Sequence, residues 1–177
     1  MKHHSFSLTC LTVVTFFALC AFQPLKVWTI KAEQTRITFS IKNAGFTVTG
    51  TFSEVSGTID FGPKNLKNSR IDARVKVASI HTGIKARDKH LRSADYFEAD
   101  TYPDMHFRST SIEKTAGGYK ARGLLTIKDV SREVEIPFTF ENNTFRASFS
   151  LDRTDYHVGK KSWIMGEEVQ VELEVKV

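Results

Sequence analysis

The chain has 177 residues, with 25 basic and 20 acidic side chains and a formal net charge of +5. This length favours a single domain. The charge is mild and scattered, and the aromatic residues lie among the aliphatic ones. Both features argue against a nucleic-acid-binding protein, which needs a concentrated basic surface or exposed rings that stack on bases.

The first segment, residues 1–22, is predicted to be a secretory signal peptide. Lys2 supplies a positive start, and residues 8–22 form an uncharged, largely apolar run. The small residues Ala18 and Ala21 offer a cleavage zone. The run is shorter than the ~20 apolar residues of a membrane-spanning helix, so a short N-terminal anchor is the alternative. We therefore expect an exported protein, periplasmic or secreted, whose folded domain covers residues 27–177.

Removal of this segment changes two global properties of the chain. Cys10 and Cys20 both lie in it, so the processed protein has no cysteine with which to form a disulfide. Lys2 is its only charged residue, and its loss leaves 24 − 20 = +4. The hydrophobic core must then supply the stability of the domain without covalent help.

Most of the remaining chain alternates between apolar and polar residues, the period-two pattern of half-buried strands. Strands are predicted at residues 28–33, 36–43, 46–52, 55–61, 70–77, 105–112, 119–127, 134–140, 145–151 and 169–177. Each has one apolar and one polar face, which favours antiparallel pairing. About eight such strands form either a closed barrel or a two-sheet sandwich. Closure is favoured because it removes exposed edges, and a barrel of this size can hold one small ligand.

One segment, residues 83–100, interrupts the strands and reads as a short helical excursion. Asp88 and Arg92 have the i,i+4 spacing of an ion pair, and Leu91 and Ala94 share a face. Tyr102 precedes Pro103, which disfavours helix there and ends the excursion. Because long insertions between strands are usually functional, we interpret this one as a lid or plug beside the mouth of the barrel.

Catalytic and metal sites are not predicted. The four histidines that follow the signal segment do not have the helical spacing of a zinc site. They are His81, His90, His106 and His157. The sequence also lacks the G-x-S-x-G motif of a nucleophile elbow. Acidic residues cluster in sequence near His90, but helix caps and ion pairs explain such a cluster without catalysis.

Several pieces, in order along the chain, together resemble one known family. These are Trp28-Thr29-Ile30, Thr38 to Ile41, Gly50-Thr51-Phe52, Ala86 to Ser93 with Tyr96-Phe97, Tyr102-Pro103 with Phe107, Gly123 to Lys128, and Asp152-Arg153 with Asp155. The sequence resembles the YceI-like, polyisoprenoid-binding proteins of the bacterial periplasm or exterior over residues 28–177. It departs from the family at Lys31, Gln34 and Asn43, where an acid and histidines are common, and at Asp129, where glycine is usual.

The resemblance implies an all-β, lipocalin-like antiparallel barrel that holds an isoprenoid chain in an elongated apolar pocket. The implied cargo is a polyprenyl or quinone-like lipid, with no other cofactor. A protein that carries such a lipid is also expected to contact a membrane transiently. The residues expected to line the pocket are Phe39, Ile41, Phe52, Phe61, Val75, Val77, Phe107, Leu125, Ile136, Phe138, Phe149, Val171 and Leu173. Arg87, His90 and Arg92 are the candidates for contact with a lipid head group, and Arg87 and Asp88 have the alternative role of fixing the helix to the barrel.

Three functional hypotheses follow. The first is a non-enzymatic carrier or sequestering protein for an amphiphilic isoprenoid. The second is an enzyme that acts on a lipid or quinone-like substrate, with Asp88, His90 or His106 as acid or base. The third is an envelope protein whose barrel is solid. An internal cavity separates the third from the first, because periodicity alone does not show whether apolar faces leave a space between them.

Overall fold

The computed structural model describes residues 26–177. The predicted signal peptide and its two cysteines lie outside these residues. Within them the chain forms eleven β-strands and one α-helix: β1 (Lys26–Thr29), β2 (Thr35–Asn43), β3 (Phe46–Phe52), β4 (Val55–Phe61), β5 (Arg70–Lys76), β6 (Ile80–His81), α1 (Lys85–Arg92), β7 (Asp104–Thr115), β8 (Gly118–Ile127), β9 (Val130–Glu141), β10 (Thr144–Asp152) and β11 (Met165–Lys176). Four 3-10 turns lie between strands, at Ala32–Gln34, Leu66–Asn68, Val77–Ser79 and Arg153–Tyr156.

All the strands belong to one antiparallel sheet, in the order β1-β4-β5-β7-β8-β9-β10-β11-β2-β3-β6. The connection from β3 to β4 shows how this sheet is shaped. These two strands lie near opposite ends of the order, yet only Ser53 and Glu54 separate them in the chain. Three Cα–Cα links span at most about 11 Å. The sheet must therefore curl until its two ends almost meet.

The predicted all-β, barrel-like fold is confirmed, with more strands than the eight or so expected. Ten of the eleven strands match the predicted segments, and the additional strand is the two-residue β6. β1 has four residues and pairs with β4, whereas β6 has two residues and pairs with β3. The predicted strand 28–33 ends early, because a 3-10 turn forms at Ala32–Gln34.

The hairpin turn between β9 and β10 has the backbone geometry that its sequence requires. Asn142 and Asn143 connect β9 to β10 with φ angles of 50° and 56°. Positive φ at both central residues defines the turn that matches the twist of paired strands, and asparagine tolerates it well. Phe140 and Phe145 flank this turn as a cross-strand pair.

Aromatic residues fill the end of the sheet where this hairpin lies, which we call the closed end. Phe61 is 1% exposed, and its ring centroid lies 5.0 to 5.7 Å from four other rings. All four pairs are edge-to-face, a favourable arrangement for aromatic quadrupoles. The closed end comprises Trp28, Phe61, Tyr119, Phe138, Phe140 and Phe145.

The opposite end, which we call the helix end, carries the segment between β5 and β7. Helix α1 occupies eight residues of the predicted excursion, and turns follow it up to residue 101. The first residues of β11 and the Arg153–Tyr156 turn lie at this same end, because β10 runs away from the Asn142–Asn143 hairpin. No helix within residues 26–177 combines the length and the apolar character needed to cross a membrane.

An apolar internal cavity as the candidate binding site

The curled sheet encloses a cavity of about 290 Å³ that is lined almost entirely by carbon atoms. This volume is close to the lower end of the ~300–1,000 Å³ range typical of small-molecule pockets. It is also about twice the ~150 Å³ of an engineered apolar cavity that binds benzene. The solid-barrel hypothesis is therefore wrong for the part of the chain that the structure describes.

Period-two alternation places the lining residues. On β2 the cavity is lined at Thr35, Ile37, Phe39, Ile41 and Asn43. These positions span eight residue steps, or about 26 Å along the strand at ~3.3 Å per residue. The cavity thus follows the strands from the closed end toward the helix end.

The cavity brings together eleven of the thirteen residues predicted to line it: Phe39, Ile41, Phe52, Val75, Phe107, Leu125, Ile136, Phe138, Phe149, Val171 and Leu173. The prediction is wrong for Phe61 and Val77, which do not line the space. Phe61 is enclosed by the other rings of the closed end. Val77 leaves the strand for a 3-10 turn, where it is 1% exposed.

The ionisable residues of the cavity wall are predominantly basic. Four basic residues contribute to the wall, and no aspartate or glutamate does, among residues 26–177. Two of the four lie beside a carboxylate on the outer face. His106 lies 2.8 Å from the carboxylate of Asp72, and Arg146 lies 3.1 Å from that of Glu174. The other two, Arg87 and Arg153, have no carboxylate within 4 Å in the described chain.

Arg153 is a lining residue that the sequence analysis did not select. It follows Phe149 and Leu151 at steps of two residues, the spacing of inward-facing positions on a strand. This spacing is the sequence feature that could have identified Arg153 as a lining residue. The residue is 4% exposed. Its guanidinium donates to three backbone carbonyls, those of Gly166 at 2.9 Å, Val158 at 2.8 Å and Lys160 at 2.9 Å. The side chain therefore fixes the segment that leads into β11.

Arg87 contacts the cavity from helix α1. Its Nε donates to Thr82 Oγ1 at 2.7 Å, and its Nη2 donates to the Thr82 carbonyl at 2.7 Å. Asp88 binds the same threonine, because its Oδ1 accepts from the Thr82 backbone N–H at 2.8 Å and from the hydroxyl at 2.5 Å. Thr82 itself lines the cavity. Arg87 and Asp88 thus attach the helix to the strand that leads into it.

The ion pair predicted between Asp88 and Arg92 is replaced by this arrangement. The hydroxyl of Thr82 is the main reason that the pKa of Asp88 lies below its ordinary value, although burial of the carboxyl opposes the shift. Arg92 instead donates to the carbonyl of Ala78 at 3.2 Å. His81 lies 3.3 Å from the second oxygen of Asp88.

Of the three head-group candidates, only Arg87 lines the cavity. His90 does not line the cavity; its side chain is 60% exposed, and its ring packs edge-on against Tyr96 at 4.9 Å. Arg92 does not line it either, and its guanidinium donates to the Ala78 carbonyl. Contact of these two residues with a head group stays a prediction. Both residues lie on faces of α1 that turn away from the cavity.

The positions that depart from the family pattern lie in different environments. Asn43 lines the cavity at the helix end. Lys31 and Gln34 are exposed around the 3-10 turn before β2. Asp129 is exposed at the β8–β9 turn, 3.7 Å from His157. Only Asn43 is therefore placed to touch a ligand.

The proposed acid–base residues do not form one group at the cavity. Asp88 is bonded to Thr82, His90 faces Asp95 at 3.7 Å, and His106 is bonded to Asp72. Burial raises the pKa of Asp72, but hydrogen bonds from His106 and Arg108 outweigh it and leave this pKa below its ordinary value. Within residues 26–177 no three histidine or acidic side chains are grouped as a metal site would require.

A curled antiparallel sheet around an elongated apolar cavity places this protein among the barrel-like β-proteins with an internal binding cavity. The model of the YceI-like domain matches residues 28–177, and the chain belongs to the YceI-like family. The family resemblance seen in the sequence is thereby confirmed.

Similar proteins come from several bacteria. The UPF0312 protein of Photorhabdus laumondii is 35% identical over 106 residues, 59% of this chain and 55% of that protein. Protein YceI of Escherichia coli is 34% identical over 101 residues, 56% of this chain and 53% of its own length. The matches thus span about half the length of these two curated relatives. A UPF0312 protein of Yersinia enterocolitica is 28% identical over 151 residues, 79% of each chain.

Solved structures show the same fold. Burkholderia cenocepacia BcnA superposes with a TM-score of 0.77 at 28% identity, over 82% of this chain and 98% of that one. A Campylobacter jejuni YceI protein gives a TM-score of 0.64 at 27% identity, over 73% and 84%. A polyisoprenoid-binding domain from Saccharophagus degradans gives 0.64 at 15% identity, over 85% and 97%, a likeness of fold alone.

Proposed function

We propose that this protein binds an amphiphilic lipid with an isoprenoid-like tail in the cavity and acts as its carrier or sequestering protein. The observation that carries the proposal is the apolar cavity inside the curled sheet. Family membership supports it, and one protein of the same fold is described as a polyisoprenoid-binding domain. Export through the predicted signal peptide suits a carrier of envelope lipids.

The energetic consequence of leaving this space empty is large. Core cavities destabilise proteins by about 24 cal/mol per Å³. A cavity of 290 Å³ then corresponds to roughly 7 kcal/mol, similar to the total stability of many domains. A cavity of this size lowers the free energy of unfolding substantially unless a ligand occupies it most of the time.

A hydrocarbon tail can supply the binding free energy without polar recognition. Each buried CH₂ contributes about 0.8 kcal/mol, so each five-carbon unit contributes about 4 kcal/mol before losses. Association costs at least ~4 kcal/mol in lost freedom. A few enclosed units therefore suffice, which agrees with a wall of aliphatic and aromatic side chains.

The asymmetry of the two ends orients the ligand. The closed end is packed with aromatic rings, so the tail points toward them. The helix end presents Thr82, Arg87, Asn43 and Arg153 to the cavity. The head group accordingly lies at the helix end, and α1 acts as the predicted lid beside it.

Native mass spectrometry of the protein isolated from its own host tests the proposal. We expect a population with an added mass that dissociates on activation and that lipid analysis identifies as a prenyl or quinone-like lipid. Repeated recovery of empty protein, together with failure to take up such lipids after extraction with organic solvent, would contradict lipid carriage.

A matched pair of variants on β11 tests where the lipid binds. Val171 lines the cavity, whereas its neighbour Glu172 faces outward. Val171→Trp should fill part of the space and reduce lipid loading at least tenfold, with the fold retained. Glu172→Trp adds the same side chain outside and should load normally. Equal loading of both variants would place the lipid elsewhere.

A further inference from the structure

We infer that the ligand carries an anionic head group, a phosphate or carboxylate, which sits against Arg153 and Arg87. This inference rests on the proposed lipid-binding function and specifies the chemistry of its head group. Its basis is the charge of the cavity wall. Arg87 and Arg153 contribute to the wall without a carboxylate partner, and no acidic residue contributes within the described chain.

The environment of Arg153 makes this charge unusual. A buried ion is costly unless an opposite charge and full hydrogen bonding compensate it. Arg153 is 4% exposed, and its bonds to the carbonyls of Val158, Lys160 and Gly166 use three of the five guanidinium N–H donors. These carbonyls provide dipoles and no net negative charge. An oxyanion from the ligand would supply both the charge and acceptors for the remaining donors.

The geometry of the guanidinium favours an oxyanion over a neutral head group. Its planar fork matches the paired oxygens of phosphate and carboxylate groups. Arg87 has the same character, since its Nε and Nη2 both donate to Thr82 and not to an acidic residue. Both arginines are held in place by the protein, so little side-chain entropy is lost when they bind an anion.

A purely structural role makes a different prediction. If Arg153 only fixes residues 158–166, binding will not depend on the charge of the ligand. Farnesyl phosphate and farnesol have the same tail and differ at the head group, so they separate the two cases. The binding of each is measured by titration calorimetry on delipidated protein. We expect farnesyl phosphate to bind at least tenfold more tightly than farnesol.

Variants then assign the preference to residues. Arg153→Met and Arg87→Met keep the side-chain length without the charge, and each should reduce the preference for the phosphate at least fivefold. Arg122→Met is the matched control, because Arg122 lies outside the cavity wall and is already paired with Glu135, so it should leave the preference unchanged. Circular dichroism and thermal unfolding establish that each variant is folded. If Arg153→Met does not fold, the wild-type comparison and Arg87→Met still decide the inference.

The outcomes are distinct. Equal binding of farnesyl phosphate and farnesol overturns the head-group inference and leaves lipid carriage intact. Binding of neither overturns the proposed isoprenoid-binding function. A phosphate preference that survives both arginine substitutions overturns the assignment of these residues.

A separate observation, the exposed apolar residues at the helix end, points to a docking surface for a membrane. Phe46, Trp163 and Ile164 are 75%, 106% and 64% exposed; we call them the rim patch. They belong to two adjoining segments, because the Ala44 N–H donates to the Ile164 carbonyl at 2.8 Å and Asn43 pairs with Met165. A monomeric soluble protein seldom groups such residues on its surface.

We propose that the rim patch docks on the surface of a bilayer that contains anionic lipids. Residues 42–47 and 157–166 contain three lysines, at 42, 160 and 161, and no acidic residue. Lys161 contacts Glu167 at 3.3 Å, and the other two are exposed without an acidic partner in the described chain. Aromatic side chains prefer the membrane interface, and nearby lysines are attracted to anionic head groups. Asn43 and Met165 line the cavity beside the patch, so docking would bring the cavity to the lipid.

Co-sedimentation with vesicles tests this docking. We expect the protein to sediment with phosphatidylcholine vesicles that contain phosphatidylglycerol, and far less with phosphatidylcholine alone. In a Trp28→Phe variant, where Trp163 is the sole tryptophan, fluorescence should shift to the blue on binding. Trp163→Ser should reduce binding at least fivefold, whereas Leu124→Ser, which removes an exposed apolar residue on β8, should not.

Two results would overturn membrane docking. One is an absence of binding to both kinds of vesicle. The other is an equal loss of binding in Trp163→Ser and Leu124→Ser. In the first case, capture of a protein partner by the rim patch would identify that partner as the occupant in place of the membrane.

Discussion

Phe61 and Phe149 provide a direct test of whether the interior is packed at one end and hollow along its length. Phe61 lies in the closed end at 1% exposure, in contact with four aromatic rings. Phe149 lines the cavity and is only partly buried. Both are phenylalanines on strands of the same sheet. Replacement of each by alanine removes the same atoms from two different environments.

The expected losses of unfolding free energy differ several-fold. Phe61→Ala opens a new cavity in a packed core, for which ~3–5 kcal/mol is typical, and its edge-to-face contacts place it at about 4 kcal/mol. Phe149→Ala enlarges a space that already exists, so only part of the ~1.5–3 kcal/mol transfer term is lost, or about 1 kcal/mol. Lipid loading should respond in the opposite order, because Phe149 faces the ligand and Phe61 does not.

Urea unfolding of delipidated protein, followed by tryptophan fluorescence, measures both losses. With a slope of about 2 kcal/mol/M, Phe61→Ala should lower the midpoint by roughly 2 M and Phe149→Ala by roughly 0.5 M. Equal midpoints for the two variants would refute the reasoning, since they would mean that Phe149 is packed as tightly as Phe61 and that the cavity is filled in solution.

Two further predictions concern the polar contacts at the helix end. Thr82→Val removes the hydroxyl that donates to Asp88, so amide exchange across α1 should accelerate several-fold by mass spectrometry, whereas Thr49→Val on exposed β3 should leave it unchanged. The stability of the domain should be level near neutral pH and fall below about pH 4, the ordinary pKa of aspartate. The reason is that Asp88, bonded by Thr82, and Asp152, bonded by Thr154, have lowered pKa values in the folded state. The unfolded chain then takes up protons first as the pH falls, and stability is lost as the pH passes down through the folded values. Stability that stays level to pH 2 in a chemical denaturation series would contradict these contacts.

The sequence predicts the faces of the strands well because the side-chain period of a strand is fixed. A residue two positions from an inward residue also points inward, so Phe39 and Ile41 on β2 and Val171 and Leu173 on β11 are identified without coordinates. The same rule extends to Arg153, two positions after Leu151, although a charged residue breaks the apolar pattern on which the selection relied.

Helical positions are harder to assign from sequence. His90 and Arg92 belong to the same short helix as Arg87, and residue type alone does not show which of the three faces the cavity. The bonds from Arg87 to Thr82 fix the rotation of the helix. Thr82 precedes the helix in the chain and carries no pattern that marks it as the partner.

The amino-acid sequence by itself determines an antiparallel β-protein of the YceI-like family, with a short helix between two strands and an apolar face on each strand. Only the tertiary structure decides that these faces stay apart along the strands and meet in packed rings at one end. The physical reason is that alternation sets the direction of each side chain, whereas the curvature of the closed sheet sets the distance between opposite walls. Phe61 and Phe149 obey the same alternation, and their different surroundings follow from that distance alone.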